Sequence, residues 1–283
     1  MDILIFGRTA VLSDMKKKNS ISAVIPVVVF VAFVVCLVLL IGGIQSDKKA
    51  EEAAAEGVAY LEALEQKDPD RIDQTRKAIQ KRKLEAQRDE LLRQVTEGEV
   101  DPFSMFQDFV ILGDSRAVGF WYFDFLEEDR CLTGGGDTIR NVALNMDGIM
   151  ALNPGTIYLC YGLNDTSIGY WDTKEEYVAE YMEVIANLQN RLPGVKIVVS
   201  SILPARDPAF NLSSKWHNIP EWSAAVEAAC EERGIAFANN DSISEEYADL
   251  WDPDGIHVRE AFYPYWATNL IVATLSGGVS DEG

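Results

Sequence analysis

The sequence predicts an α/β protein in which a parallel sheet is covered by helices on both faces. Strand-like and helix-like stretches alternate between residues 101 and 275, and the strand-like ones, such as Phe109-Val110-Ile111-Leu112 and Ile157-Tyr158-Leu159, are unbroken apolar runs. Unbroken runs belong to strands buried on both faces, and alternation with helices joins such strands in parallel. Length agrees, since about 180 residues are enough for one three-layer α/β/α domain.

Taken in order, the chain first presents residues 21–44, uncharged and apolar apart from Ser22. A bilayer needs about 20 such residues. The span is too long for a signal-peptide core and lacks a small-residue cleavage pattern, so an uncleaved anchor is expected. Lys16-Lys17-Lys18 precedes it, which places residues 1–20 in the cytoplasm and everything after Gln45 outside the cell membrane. Met15 followed by these lysines reads as the start of an export signal, so residues 1–14 are expected to be an upstream extension.

Residues 45–100 read as a helical stalk. Residues 47–66 are rich in Ala and Glu, and Asp68-Pro69 offers a cap followed by proline at the first helical position of a second helix, which runs to about Thr96 and ends at Gly98. Ile72, Ile79 and Ala86 recur every seven residues, but Thr75, Arg82 and Asp89 between them are polar. A two-stranded seam wants those positions apolar, so a solvated spacer is expected ahead of a coiled coil.

Within the domain of residues 101–275, strands are expected at 109–112, 131–132, 156–161, 195–201 and 235–238. Helices are expected at 117–126, 138–152, 174–191, 220–233 and 260–274, with Asn153-Pro154-Gly155 ending the second. Residues 276–283 are expected to be a disordered tail.

Charge is distributed unevenly: the net value is +2 over residues 1–46, −3 over 47–100 and −19 over 101–283, making −20 for the chain. An acidic domain of this kind repels phosphate backbones, which argues against nucleic acid as a partner. Of four cysteines, Cys36 falls in the apolar span, and Cys131, Cys160 and Cys230 leave an odd number in an exported domain. Cys131 and Cys160 sit in expected strands and read as small buried apolar residues, with no zinc spacing among them. No metal or other cofactor is expected.

The chemistry-bearing residues fall at strand ends. The first strand stops on Gly113-Asp114-Ser115, which puts a serine at the carboxyl end of a parallel strand, where open α/β sheets place their ligands. A serine needs a base, and the chain has two histidines. His257 follows Asp254 by three residues across Gly255, so the carboxylate can reach the ring Nδ1 and leave Nε2 free to take a proton. His217 has no carboxylate near it in sequence and reads as structural or as a pocket rim. The third strand runs into Gly162-Leu163-Asn164-Asp165, where Asn164 can aim its amide into the crevice beside Ser115. Gly134-Gly135-Gly136 follows the second strand and can expose backbone N–H groups. A serine, bare backbone donors and an amide make up an oxyanion hole.

These blocks resemble those of the SGNH, or GDSL-type, hydrolases, whose signatures supply Ser, Gly, Asn and His in that order. Gly113-Asp114-Ser115, Gly136-Asp137-Thr138, Gly162-Leu163-Asn164-Asp165 and Asp254-Gly255-Ile256-His257 match them over about residues 105–275. The resemblance implies a flavodoxin-like three-layer fold, a nucleophilic Ser115, a base His257 held by Asp254, and an oxyanion hole from the N–H groups of Ser115 and Gly136 with the Asn164 side chain. Gly136 fits the Gly-x-Thr pattern, and Gly134 and Gly135 stay open as donors. Arg116 stands where the namesake motif has Leu.

Aromatic residues gather near these blocks: Trp121, Tyr122, Tyr161, Tyr170, Trp171, Trp216 and Trp251. Arg116, Tyr161, Trp171 and Trp251 are the expected substrate-binding residues. The expectation is a membrane-anchored extracytoplasmic serine esterase acting on a small acyl ester or an O-acetylated glycan of the cell wall or surface. An O-acyltransferase using the same site and a catalytically silent envelope-binding domain are the rivals.

Overall fold

The computed structural model describes residues 69–276 together with Val58. The expected anchor at 21–44, the first part of the stalk and the tail after 276 lie outside the described residues. Among the described residues no helix is long and apolar enough to cross a membrane. The chain divides into two units, residues 1–78 and 79–283. A single helix, α1 (Pro69–Thr96), begins in the first and ends in the second. Gly98, with φ +71°, ends it in a conformation open to glycine.

Five strands, β1 (Phe109–Gly113), β2 (Cys131–Thr133), β3 (Thr156–Cys160), β4 (Lys196–Ser200) and β5 (Ala236–Ala238), form one parallel sheet in the order β2-β1-β3-β4-β5. Successive side chains on a strand point to opposite faces. Val110, Leu112, Ile157, Leu159, Ile197 and Val199 accordingly join one core, and Phe109, Ile111, Tyr158, Cys160 and Val198 the other. Each fully buried Ile or Leu of these runs contributes about 1.5–3 kcal/mol. That is why the strands are apolar throughout, as the sequence predicts.

The first face is covered by α3 (Asn141–Leu144), α4 (Met146–Leu152), α6 (Lys174–Arg191) and α7 (Ile219–Arg233), where α2 is Gly119–Tyr122 and α5 is Leu163–Ile168. α6 is capped by Thr173, whose hydroxyl accepts the Glu176 N–H at 3.2 Å, and turns Tyr177, Tyr181, Ile185 and Leu188 inward at helical spacing. The second face is covered by α9 (Tyr263–Ser276), which buries Trp266, Leu270 and Ile271; α8 (Asp241–Glu246) precedes it.

Several boundaries differ from expectation. The helix expected at 117–126 is only the four residues of α2, because Asp124 takes φ +58° and turns the chain. The helix expected at 138–152 is divided at Asn145. α5 and α8, six residues each, were not expected, being too short to show a helical period. The last helix starts at Tyr263, after a 3-10 turn at Glu260–Phe262. Cys131, Cys160 and Cys230 are free and buried, and burial pushes the thiols of Cys131 and Cys230 up to about 12.

Candidate active site

In the order 2-1-3-4-5 the chain leaves β1 and β3 toward opposite sides, which opens a crevice between their carboxyl ends. Ser115 follows β1 and Asn164 follows β3, so the two loops face one another by topology alone. Gly113 permits their close approach: a Cβ there would lie 2.7 Å from the Cys160 carbonyl oxygen.

The Ser115 loop is pinned from beneath. Asp114 accepts the Arg116 N–H at 3.0 Å through Oδ1 and the Leu163 N–H at 3.2 Å through Oδ2, joining the first block to the third. The Arg116 guanidinium pairs with Asp114 at 3.3 Å and donates to the Leu203 carbonyl at 2.5 Å, and the Tyr263 hydroxyl donates to the Arg116 carbonyl at 2.7 Å. Ser115 is thereby presented at the end of the strand while its neighbours point inward.

The fourth block is a loop closed at its base by an antiparallel bridge between Trp251 and Val258. Asp254 Oδ1 accepts the N–H groups of Ile256 (2.8 Å) and His257 (3.0 Å), and Oδ2 meets His257 Nδ1 at 2.6 Å. Burial would raise the Asp254 carboxyl, but the His257 ring and the two N–H groups outweigh it and hold the group below the usual carboxylate range. His257 Nε2 lies 3.0 Å from Ser115 Oγ. Ser115, His257 and Asp254 thus form one continuous chain of hydrogen bonds, with the Asp and His side chains 43% and 42% exposed. The relay stands at the surface.

Candidate oxyanion donors line the same crevice. Among the described residues the Ser115 N–H makes no hydrogen bond, whereas the Gly134 N–H is taken by the Gly113 carbonyl at 3.2 Å. That removes Gly134 from the three candidate glycines and leaves Gly135 and Gly136, the latter at φ +83°. Asn164 Nδ2 donates one hydrogen to the Asp137 carbonyl at 2.8 Å, which orients the amide and leaves its second hydrogen free. Asn164→Ala is expected to keep Ser115 and His257 in place and lower kcat by about 10²–10³-fold, measured as steady-state hydrolysis of an aryl ester.

The four expected substrate-binding residues are all buried, each 6% exposed or less. Arg116 is 2% exposed and serves the Asp114 carboxylate. Tyr161 is enclosed in the first core. Trp171 is buried with its indole N–H on Glu180 at 2.7 Å, while its neighbour Tyr170 is exposed. Trp251 is buried, its N–H on the Pro204 carbonyl at 3.2 Å and its ring beneath Arg206. His217 stacks on Phe210 at 3.8 Å between ring centroids. Sequence reasoning passed over Asp165, although it stands beside Asn164. It is buried and accepts the Ile139 N–H at 2.9 Å, a second tie between the second and third blocks.

The model of the GDSL-like lipase/acylhydrolase family matches residues 111–263. A structure named as a GDSL-like lipase from Parabacteroides merdae aligns with a TM-score of 0.50 at 21% identity, over 60% of this chain and 97% of that one. One named as an acylhydrolase from Bacteroides fragilis aligns with a TM-score of 0.50 at 18% identity, over 59% of this chain and 87% of that one. At such identities the likeness is one of fold. No match was found among curated proteins.

Proposed function

Because this chain belongs to the GDSL-like lipase/acylhydrolase family and is on that ground an ester hydrolase, we propose that it removes acyl groups, O-acetyl above all, from wall or surface carbohydrate outside the cell membrane. The observation that carries the reading is the unbroken Ser115–His257–Asp254 relay at the surface, beside unpaired donors.

Ser115 Oγ attacks the ester carbonyl as its proton passes to His257 Nε2, and Asp254 stabilises the imidazolium. The N–H groups of Ser115 and of Gly136 or Gly135, with the Asn164 amide, receive the oxyanion. Collapse breaks the C–O bond, and the alcohol leaves with the proton from His257. Water, deprotonated by the same ring, then attacks the acyl-serine and releases the acid. A relay this open suits an ester displayed on the outside of a polymer. A sugar hydroxyl in place of water would make the same chemistry an acyl transfer.

The test incubates the 283-residue chain with short-chain aryl esters and O-acetylated glycans and measures released acid, with and without an added glycan acceptor. Acetate release is the expected result. Acyl transfer to the acceptor without free acid would replace hydrolysis by the transferase, and failure on every glycan would remove the carbohydrate. The anchored topology rests on the charge-free span at 21–44 behind three lysines. Protease added to intact cells is expected to remove the C-terminal domain, and protection until lysis would refute the outside location.

A further inference from the structure

Behind the oxyanion loops lies a group of buried polar atoms that the relay does not use. Asp165 is 1% exposed; its Oδ1 holds the Ile139 N–H, but its Oδ2 has no hydrogen-bond partner among the described residues. The hydroxyls of Tyr161, at the end of β3, and of Tyr177 and Tyr181, one turn apart on α6, are buried and unpartnered in the same way. All three tyrosines lie within electrostatic reach of Asp165 and belong to one core. Buried hydroxyls and carboxyls without a protein partner are rare, and ordered water is their usual partner.

We propose that Asp165 is a positioning residue of the oxyanion hole, and that its free oxygen and the three tyrosine hydroxyls enclose an internal water site behind that hole. The proposal rests on the reading of Asn164 as an oxyanion donor. Two rungs tie the loops: Asn164 Nδ2 to the Asp137 carbonyl and Asp165 Oδ1 to the Ile139 N–H. The first rung orients the amide, and the second fixes the spacing of the loops that carry it and the glycine donors. Water on Oδ2 adds to the backbone N–H groups of Ile139, Asp165 and Gly162 that already act on this carboxyl.

Burial, more than the charged surroundings, favours the protonated acid. Asp114 and Arg116 face this core from the first block, Asp137 and Arg140 from the second, and the tyrosines from β3 and α6. Burial pushes the Asp165 carboxyl up to about 7, with Asp114 adding to it and the backbone N–H groups of Ile139, Asp165 and Gly162 opposing it. As pH rises from about 4 to 7 the unfolded chain loses this proton while the folded one keeps it, so the group costs stability over that interval.

The test compares wild type, Asp165→Asn and Asp165→Leu as the 283-residue chain. The asparagine keeps an oxygen for Ile139, so kcat is expected within about threefold of wild type, while leucine lowers kcat by about 10²-fold with KM little changed. The melting temperature of Asp165→Asn is expected to gain on that of wild type from pH 4 to 7 and then level off. A crystal structure is expected to show water on Asp165 Oδ2, and Tyr181→Phe to displace part of it. Leucine kinetics equal to wild type would overturn the positioning role. Oδ2 bonded to protein alone, or a melting difference flat with pH, would overturn the water site and its acid. Should the leucine variant not fold, an Asp165→Ser loss of kcat restored by Asp165→Asn decides the first part. Failure of the underlying site would instead appear as hydrolysis indifferent to Asn164→Ala.

Discussion

Ser115→Ala is expected to leave the chain folded and to lower ester hydrolysis by about 10⁴-fold or more. The substitution changes no charge, and among the described residues the hydroxyl bonds only His257, so the Asp114–Arg116 support beneath it is untouched. What disappears is the atom that forms the acyl-enzyme; binding and oxyanion donors remain and account for residual rate. The measurement is kcat/KM on an aryl acetate, beside a melting curve. Labelling by a serine-directed phosphonate should be lost in parallel. His217→Ala is the control and should retain wild-type rate, since its ring lies on Phe210. Activity that survives Ser115→Ala and is lost with His217 would place the chemistry elsewhere.

Arg116→Leu, which installs the residue of the namesake motif, is expected to destabilise the fold by about 3–5 kcal/mol. Asp114 is fully buried and its carboxylate faces Arg116 at 3.3 Å. Removing the cation leaves that charge in the core with only the N–H groups of Arg116 and Leu163, and also strips the Leu203 carbonyl of its donor. For a unit of this size the melting temperature should fall by roughly 6–20 °C. The double substitution Asp114→Asn with Arg116→Leu should recover part of the loss, because it removes the unpaired charge. Hydrolysis should fall as well, since the same pair fixes the loop bearing Ser115. A single variant melting within about 2 °C of wild type would show that the pair contributes little.

What the sequence by itself determined is local. Unbroken apolar runs over five residues announce strands buried on both faces, and the turns that follow them hold Gly113-Asp114-Ser115 and Gly162-Leu163-Asn164 in single short windows. Asp254 and His257, three residues apart across a glycine, carry their own hydrogen bond. The tertiary structure alone decided which way the neighbouring side chains face. Arg116, Tyr161, Trp171 and Trp251 lie close in sequence to the blocks and read as substrate contacts, yet each is buried. Their partners include the Leu203 carbonyl for Arg116, 87 residues away, and the Pro204 carbonyl for Trp251, 47 away. Burial depends on what the whole sheet and its helices stack above a residue, and no window around Arg116 contains Leu203. The choice among the three glycines was narrowed in the same way, when the Gly113 carbonyl on the neighbouring strand claimed the Gly134 N–H. A hydrogen bond between strands distant in sequence is written in neither strand, because it exists only once the sheet has brought them together.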